Sequence, residues 1–194
     1  MNGAAALGDK NPPLFDLGDL RLRPLRLGDE LRLAEYLGDP LVTEHTSIPP
    51  VTLESLAAAV RRDIAAYTEG TSCRLALARS EDDALIGMCG FNSWSLVHRH
   101  AELAYELAPA YWGRGYMRRA VEAVLDWAFH SVALNRVHAF VMTSNVRSIG
   151  LLERCRFVRE GTLRQFRVAR GIPRDFHVYA LLAEDSGLNY SDRD

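Results

Sequence analysis

The run AELAYELAPAYWGRGYMRRAVEAVLDWAFHSVAL, residues 101–134, decides how this chain is read. Its first seven residues alternate, which predicts a strand. Glu102, Ala104 and Glu106 fall on one face, and Leu103, Tyr105 and Leu107 on the other. A helix is then predicted from about Gly115 to Leu134, with Met117, Ala120, Val121, Val124, Ala128 and Val132 as its apolar stripe. Between the two lie Gly113 and Gly115. A strand running through a glycine turn into a helix makes an anion site by simple physics. The first helical turn has unpaired N–H groups, and the helix dipole favours negative charge there. Glycine lets an anion approach the backbone closely. Arg114, Arg118 and Arg119 add charged donors.

Two nucleotide loops are tested and fail. The P-loop needs a Lys-Ser/Thr pair, which "GRGYMRRA" lacks. The dinucleotide fingerprint needs a third glycine where Arg118 stands. A lone G-x-G is also compatible with a plain strand-to-helix turn carrying a solvated arginine face.

Outward from this run, "LRLRPL" predicts a first strand. Residues 29–37 and the segment TLESLAAAVRRDIAAYTEG predict two helices, the first N-capped by Asp29 and the second stopped by Gly70. "CRLALARS" and "ALIGMCGF" read as a hairpin, and "NSWSLVHRH" as a connection to the strand at 101–107. "VHAFVMT" is a strand, and "SNVRSIGLLERC" a short helix capped at Ser144 or Asn145. "FVREGTLRQF" and "DFHVYALLAE" form a closing strand pair joined by "ARGIPR". The order β-αα-βββ-α-β-α-ββ predicts a mixed α/β (α+β) fold around one sheet. Residues 19–184 are expected to form one domain, with 1–18 a flexible leader and 185–194 a tail.

Composition narrows the function. The hydrophobic share of 48% and charged share of 25% suit an ordinary globule. The net charge of -2 offers no basic field for nucleic acid. No apolar run approaches the roughly 20 residues of a membrane helix, and no signal peptide is evident. Three cysteines without a C-x-x-C pair read as reduced thiols of a cytoplasmic protein, and no metal site is expected.

The segment around Trp112-x-x-Gly115-x-Met117 resembles the acetyl-CoA signature of the GNAT acyltransferase superfamily. The tryptophan in "YWGRG" is similar to the ribosomal-protein N-terminal acetyltransferase (RimJ/RimL-like) branch. Met117 stands where that signature has a small residue. "NVRSIGLLERCRF" resembles the branch's Asn-x-x-Ser…Gly-Phe block, matched at Asn145, Ser148 and Phe157, with Arg156 in place of the glycine. The resemblance runs from about Leu20 to Leu182.

It implies a GNAT fold: a central, mixed, strongly twisted sheet with splayed parallel strands ("AELAYEL" and "VHAFVMT") and flanking helices. It implies acetyl-CoA as co-substrate, with the pantetheine arm near Leu107 and Ala108. The pyrophosphate is expected on Gly113, Arg114, Gly115, Tyr116, Met117 and Arg118, beside Trp112. Asn145 and Ser148 complete the CoA site, and Ser148 is the candidate acid at the sulfur. Where many GNAT enzymes carry a tyrosine acid, this chain has Leu152. Glu102 matches a general-base position on the strand; Glu106 and water compete with it. Acceptor contacts are expected from Glu44 or His45, Asn92 and Trp94, and Asp175 and His177. No spacing supports a nucleophilic triad, so direct transfer to a primary amine (a protein N-terminus or a small amine) is expected. The alternatives are a non-catalytic acyl-CoA-binding module and an unrelated nucleotide binder. A homodimer is expected from the branch.

Overall fold

The computed structural model describes residues 12–187. One sheet of eight strands runs through it, in the order β1-β2-β3-β4-β5-β6-β8-β7. Its strands are β1 (Phe15–Asp16), β2 (Leu20–Pro24), β3 (Cys73–Arg79), β4 (Leu85–Ser95), β5 (His100–Leu107), β6 (Arg136–Met142), β7 (Val158–Ala169) and β8 (Ile172–Leu182). The helices are α1 (Asp29–Leu37), α2 (Pro40–Thr43), α3 (Leu53–Thr68), α4 (Tyr116–His130) and α5 (Val146–Arg154). All neighbouring strands are antiparallel except β5 and β6. The mixed α/β architecture is the expected one.

Local chemistry explains the helix starts. Thr52 and Ser55 form a reciprocal capping box at α3. Asn145 caps α5 by accepting from the Ser148 N–H at 3.1 Å. The α4 stripe is buried from Met117 to Phe129 against the sheet, in the main core with Phe91, Leu103 and Val137. A smaller core under α1 and α3 holds Leu33, Tyr36, Leu56 and Val60.

Several expectations need correction. The segment expected as a leader contributes β1 from Phe15, whose ring meets Trp127 edge-on at 6.3 Å. Residues 1–11 of that leader and 188–194 of the expected tail lie outside the described residues. "NSWS" is not a connection: β4 continues through it after a bulge at Asn92, where one extra residue breaks the pairing with β5. Helix α4 stops at His130, four residues short of Leu134. The last hairpin turns on Arg170 and Gly171, so its strands reach well into "ARGIPR".

Candidate functional site

The site begins where β5 and β6 part. Their parallel pairing covers His100–Arg136, Ala101–Val137 and Glu102–His138, and stops there. Beyond Glu102 the two strands splay. The Ala108 N–H bonds Ile86 O at 2.9 Å on the β4 side. Ladder alternation therefore turns the backbone of Leu107 and Tyr105 toward the open gap. Ala108, expected to face CoA, faces β4 instead. The Leu107 carbonyl already accepts from the Trp112 indole at 2.8 Å.

Two cavities open on this fork, one of about 1110 Å³ and one of about 1000 Å³. The first lies under α1, α3 and the β4–β5 face; the second lies along the glycine turn, α4 and α5. They share His45, Thr46, Tyr105, Glu106, Asn145 and Ser148. A reacting group at that junction is reachable from both sides.

The second cavity collects most of the expected loop. Trp112, Gly113, Gly115, Tyr116, Met117 and Arg118 all line it. Gly113 and Gly115 sit at φ 75° and 76°, and a Cβ at either would meet nothing within 4 Å. Gly115 is the N-cap of α4 with no side chain closing it, so the first-turn N–H groups face open space. That glycine cradle, with Arg118 on its wall, fits a pyrophosphate. Met117 does not crowd it: the side chain is 7% exposed and belongs to the core. The arginines separate. Arg118 bonds Glu122 at 2.8 Å. Arg114 lies over the Tyr111 ring at 5.7 Å and does not line the cavity. Arg119 turns away to Asp19 at 2.7 Å and to the Leu17 carbonyl. Arg147, absent from the sequence reading, lies over the Trp112 ring at 4.4 Å.

At the junction the Tyr105 hydroxyl is 2.7 Å from Ser148 Oγ. Burial pushes the Tyr105 phenol up, and its bond to Ser148 only partly opposes this. The phenol therefore stays protonated and able to donate. Leu152, in the slot of the usual tyrosine, is fully buried and offers no proton.

In the first cavity a chain of polar contacts crosses the sheet. Arg74 bonds Glu106 at 2.6 Å and Asn92 Oδ1 at 2.6 Å. Asn92 Nδ2 reaches Glu102 at 3.2 Å, and Arg167 reaches the same Glu102 oxygen at 3.2 Å. Burial works against the Arg74 charge, but Glu106 beside it more than compensates, and the guanidinium is held above its ordinary value. Glu106 thus lies at the junction, whereas Glu102 lines only the first cavity, at the paired end of the fork.

Three acceptor expectations fail. Trp94 is buried in the core among Tyr67, Phe91 and Trp127, its indole donating to Gly70 O at 2.7 Å. Asp175 accepts from the Gln165 N–H at 2.8 Å in the β7 bulge. His177 pairs with Thr162 at 2.9 Å. None of the three lines either cavity. Glu44 stays at the margin, 2.8 Å from His45, and it is His45 that enters both cavities. Among the described residues no cluster suited to a metal ion is found, and no helix is long and apolar enough to cross a membrane.

Tyr105 and Arg74 were missed. Alternation did not single out Tyr105, because it put the residue on the face opposite Glu106. For Arg74 there was no signal, because its carboxylate partner Glu106 is 32 residues away.

Comparison with known proteins agrees with this geometry. A family profile described as "Acetyltransferase (GNAT) domain" matches residues 19–158. The uncharacterized N-acetyltransferase p20 of Bacillus licheniformis is 36% identical over 167 residues, 86% of this chain and 94% of that protein. The ribosomal-protein-S5-alanine acetyltransferase of Vibrio fischeri superposes with a TM-score of 0.78 at 20% identity, covering 89% of this chain and 98% of that one. The spermidine N-acetyltransferase of Vibrio cholerae, solved with CoA and spermine, gives a TM-score of 0.76 at 22% identity over 87% and 98% of the two chains. The splayed β5–β6 fork, the glycine turn into α4 and the match over residues 19–158 lead to one conclusion: the chain belongs to the GNAT family of N-acetyltransferases.

Proposed function

We propose that the chain moves an acetyl group from acetyl-CoA directly to a primary amine, with the second cavity holding CoA and the first admitting the acceptor. The observation that carries this is the meeting of the two cavities at Tyr105, Glu106, Asn145 and Ser148. The fit of CoA rests on the open glycine cradle and the open β5 edge, and the spermidine enzyme of the same fold is solved with CoA.

When bound, acetyl-CoA supplies the activated acetyl group. The chain's own residues then manage two protons. Glu106 takes one from the incoming amine. Arg74 bonds its Oε2, which holds the carboxylate in place. Ser148 Oγ gives the other to the departing sulfur while the Tyr105 hydroxyl donates a hydrogen bond to it, and the proton that Glu106 took restores the serine before the next turnover. The Tyr105–Ser148 pair stands in for the tyrosine missing at Leu152. Glu106 replaces Glu102 as the favoured base, because Glu102 is bonded twice on one oxygen and lies away from the junction.

The test is acceptor-dependent thiol release from acetyl-CoA over a panel of amines, with CoA binding followed by calorimetry. Release is expected with at least one primary amine, and mass spectrometry of the product identifies the acetylated nitrogen. Tight CoA binding without turnover, unaltered by Glu106→Gln or Ser148→Ala, would mark a non-catalytic CoA-binding module instead.

A further inference from the structure

The chain of contacts on the floor of the first cavity spends its carboxylates and leaves cationic donors over. Glu102 is bonded by Asn92 and Arg167, and Glu106 by Arg74. Arg74 is buried, and its Nε has no hydrogen-bond partner. It lines the same cavity as Arg167. That Nε is sealed from the cavity and the other two nitrogens are spent on Asn92 and Glu106, so Arg74 serves to hold Glu106 in place.

Arg167 is held more firmly than a surface arginine. Its guanidinium lies 5.2 Å from the Phe140 ring centre, 5.1 Å from Phe166 and 5.6 Å from Phe176. Three rings and one carboxylate make a box suited to an organic cation. The chain fills that box with its own arginine. A second ammonium group on an acceptor would meet an occupied box and a like charge. One guanidinium N–H is used on Glu102, and the rest of the fork remains for a ligand. On the α3 wall Asp63 is matched by Arg62 at 3.2 Å, and the exposed Glu69 sits at the far end of that helix.

We infer that the acceptor is a primary amine bearing a carboxylate, with the amine at Glu106 and the carboxylate bound by Arg167. This rests on the acetyltransferase reading above and adds the substrate class. Arg167 is the residue that sets it, by offering a planar fork to an anion and closing the box to polyamines.

The experiment compares kcat/KM for four acceptors with the full chain and acetyl-CoA. They are free glutamate, a short peptide with an acidic second residue, tyramine and spermidine. At least one carboxylate-bearing acceptor is expected to exceed tyramine by about tenfold or more, the scale of a charge-assisted bidentate contact. Whichever of glutamate and the peptide is faster names the source of the carboxylate. Arg167→Gln is expected to bring the ratio of carboxylate-bearing to uncharged acceptor down toward one. Arg167→Lys keeps the charge without the fork and should lie between. Arg164→Gln, on the exposed face of β7, controls for net charge and should leave the ratio where it was. Spermidine or tyramine as the best acceptor overturns the inference, and so does a ratio that Arg167→Gln does not change. Both outcomes leave the acetyltransferase reading standing, because thiol is still released. No thiol release with any acceptor, together with no CoA binding, brings down both.

Discussion

The Tyr105 hydroxyl lies 2.7 Å from Ser148 Oγ, tying strand β5 to helix α5 where the two cavities meet. A tyrosine from the strand thereby takes a place that Leu152, on the helix, leaves empty. Tyr105→Phe removes only the hydroxyl. It is expected to lower kcat by about ten- to a hundredfold, at the low end of general acid–base catalysis, with little change in the KM for acetyl-CoA. Ser148→Ala should cost a similar factor. The double variant should cost little more than either single one, because the pair works as a unit. Steady-state kinetics on the three variants check this.

Glu106 and Arg74 are each about one-tenth exposed, so the pair is buried from solvent. Removing one partner leaves the other charge stranded. Arg74→Met is expected to destabilise the fold by about 3 kcal/mol in urea unfolding. Glu106→Gln keeps the shape and a hydrogen bond to Arg74, and should cost clearly less stability while losing most of the turnover. An Arg74→Met variant as stable as the parent would contradict this account of the pair.

Met117 and Gly115 lie two residues apart in the same loop but answer to different forces. Met117 is core, and Met117→Ala should cost about 2–5 kcal/mol by leaving a cavity, without tightening CoA binding. Gly115 has an open space over it and a left-handed backbone. Gly115→Ala should cost about 1–2 kcal/mol through backbone strain and should also weaken CoA, because the methyl group enters the cradle. Calorimetry for CoA and thermal unfolding separate the two effects.

Arg156 stands at φ 66°, a left-handed position that costs an L residue about 1 kcal/mol and glycine almost nothing. This gives a physical reason for the glycine found there in the resembling block. Arg156 recovers part of the strain through a 3.1 Å bond to Ser186 O. Arg156→Gly is expected to raise stability by about 0.5–1 kcal/mol, read as a shift of the urea midpoint without a change in slope.

The fold was largely legible because its signals are local. Alternation in β5, the α4 stripe and the glycines between them need only neighbouring residues. Part of the candidate site was legible for the same reason: Trp112, Gly113, Gly115, Asn145 and Ser148 are placed by local backbone structure. Tyr105 was assigned its face by alternation, but a strand splayed from its neighbour exposes both faces at the gap, and period two cannot report the splay. Trp94 was read as a loop residue because the bulge at Asn92 interrupts the pattern while the strand continues. The Arg74–Asn92–Glu102–Arg167 chain depends on registers across β3, β4, β5 and β7, which no local pattern carries.

His138 faces Glu102 across the last paired position of the fork, and its Nδ1 is buried without a partner. Burial lowers its pKa from the ordinary 6.5; Glu102 pulls it up, and Arg136 and His100 push it down. The sign follows. Above about pH 6.5 the ring is neutral whether folded or unfolded, and contributes no pH dependence. Below that value the unfolded chain takes up a proton that the fold resists, so stability falls as pH falls. Unfolding free energies measured at pH 7.5 and 5.5 should therefore differ less for His138→Gln than for the parent chain. An equal difference in the two proteins would show that His138 titrates in the fold as it does in the open chain.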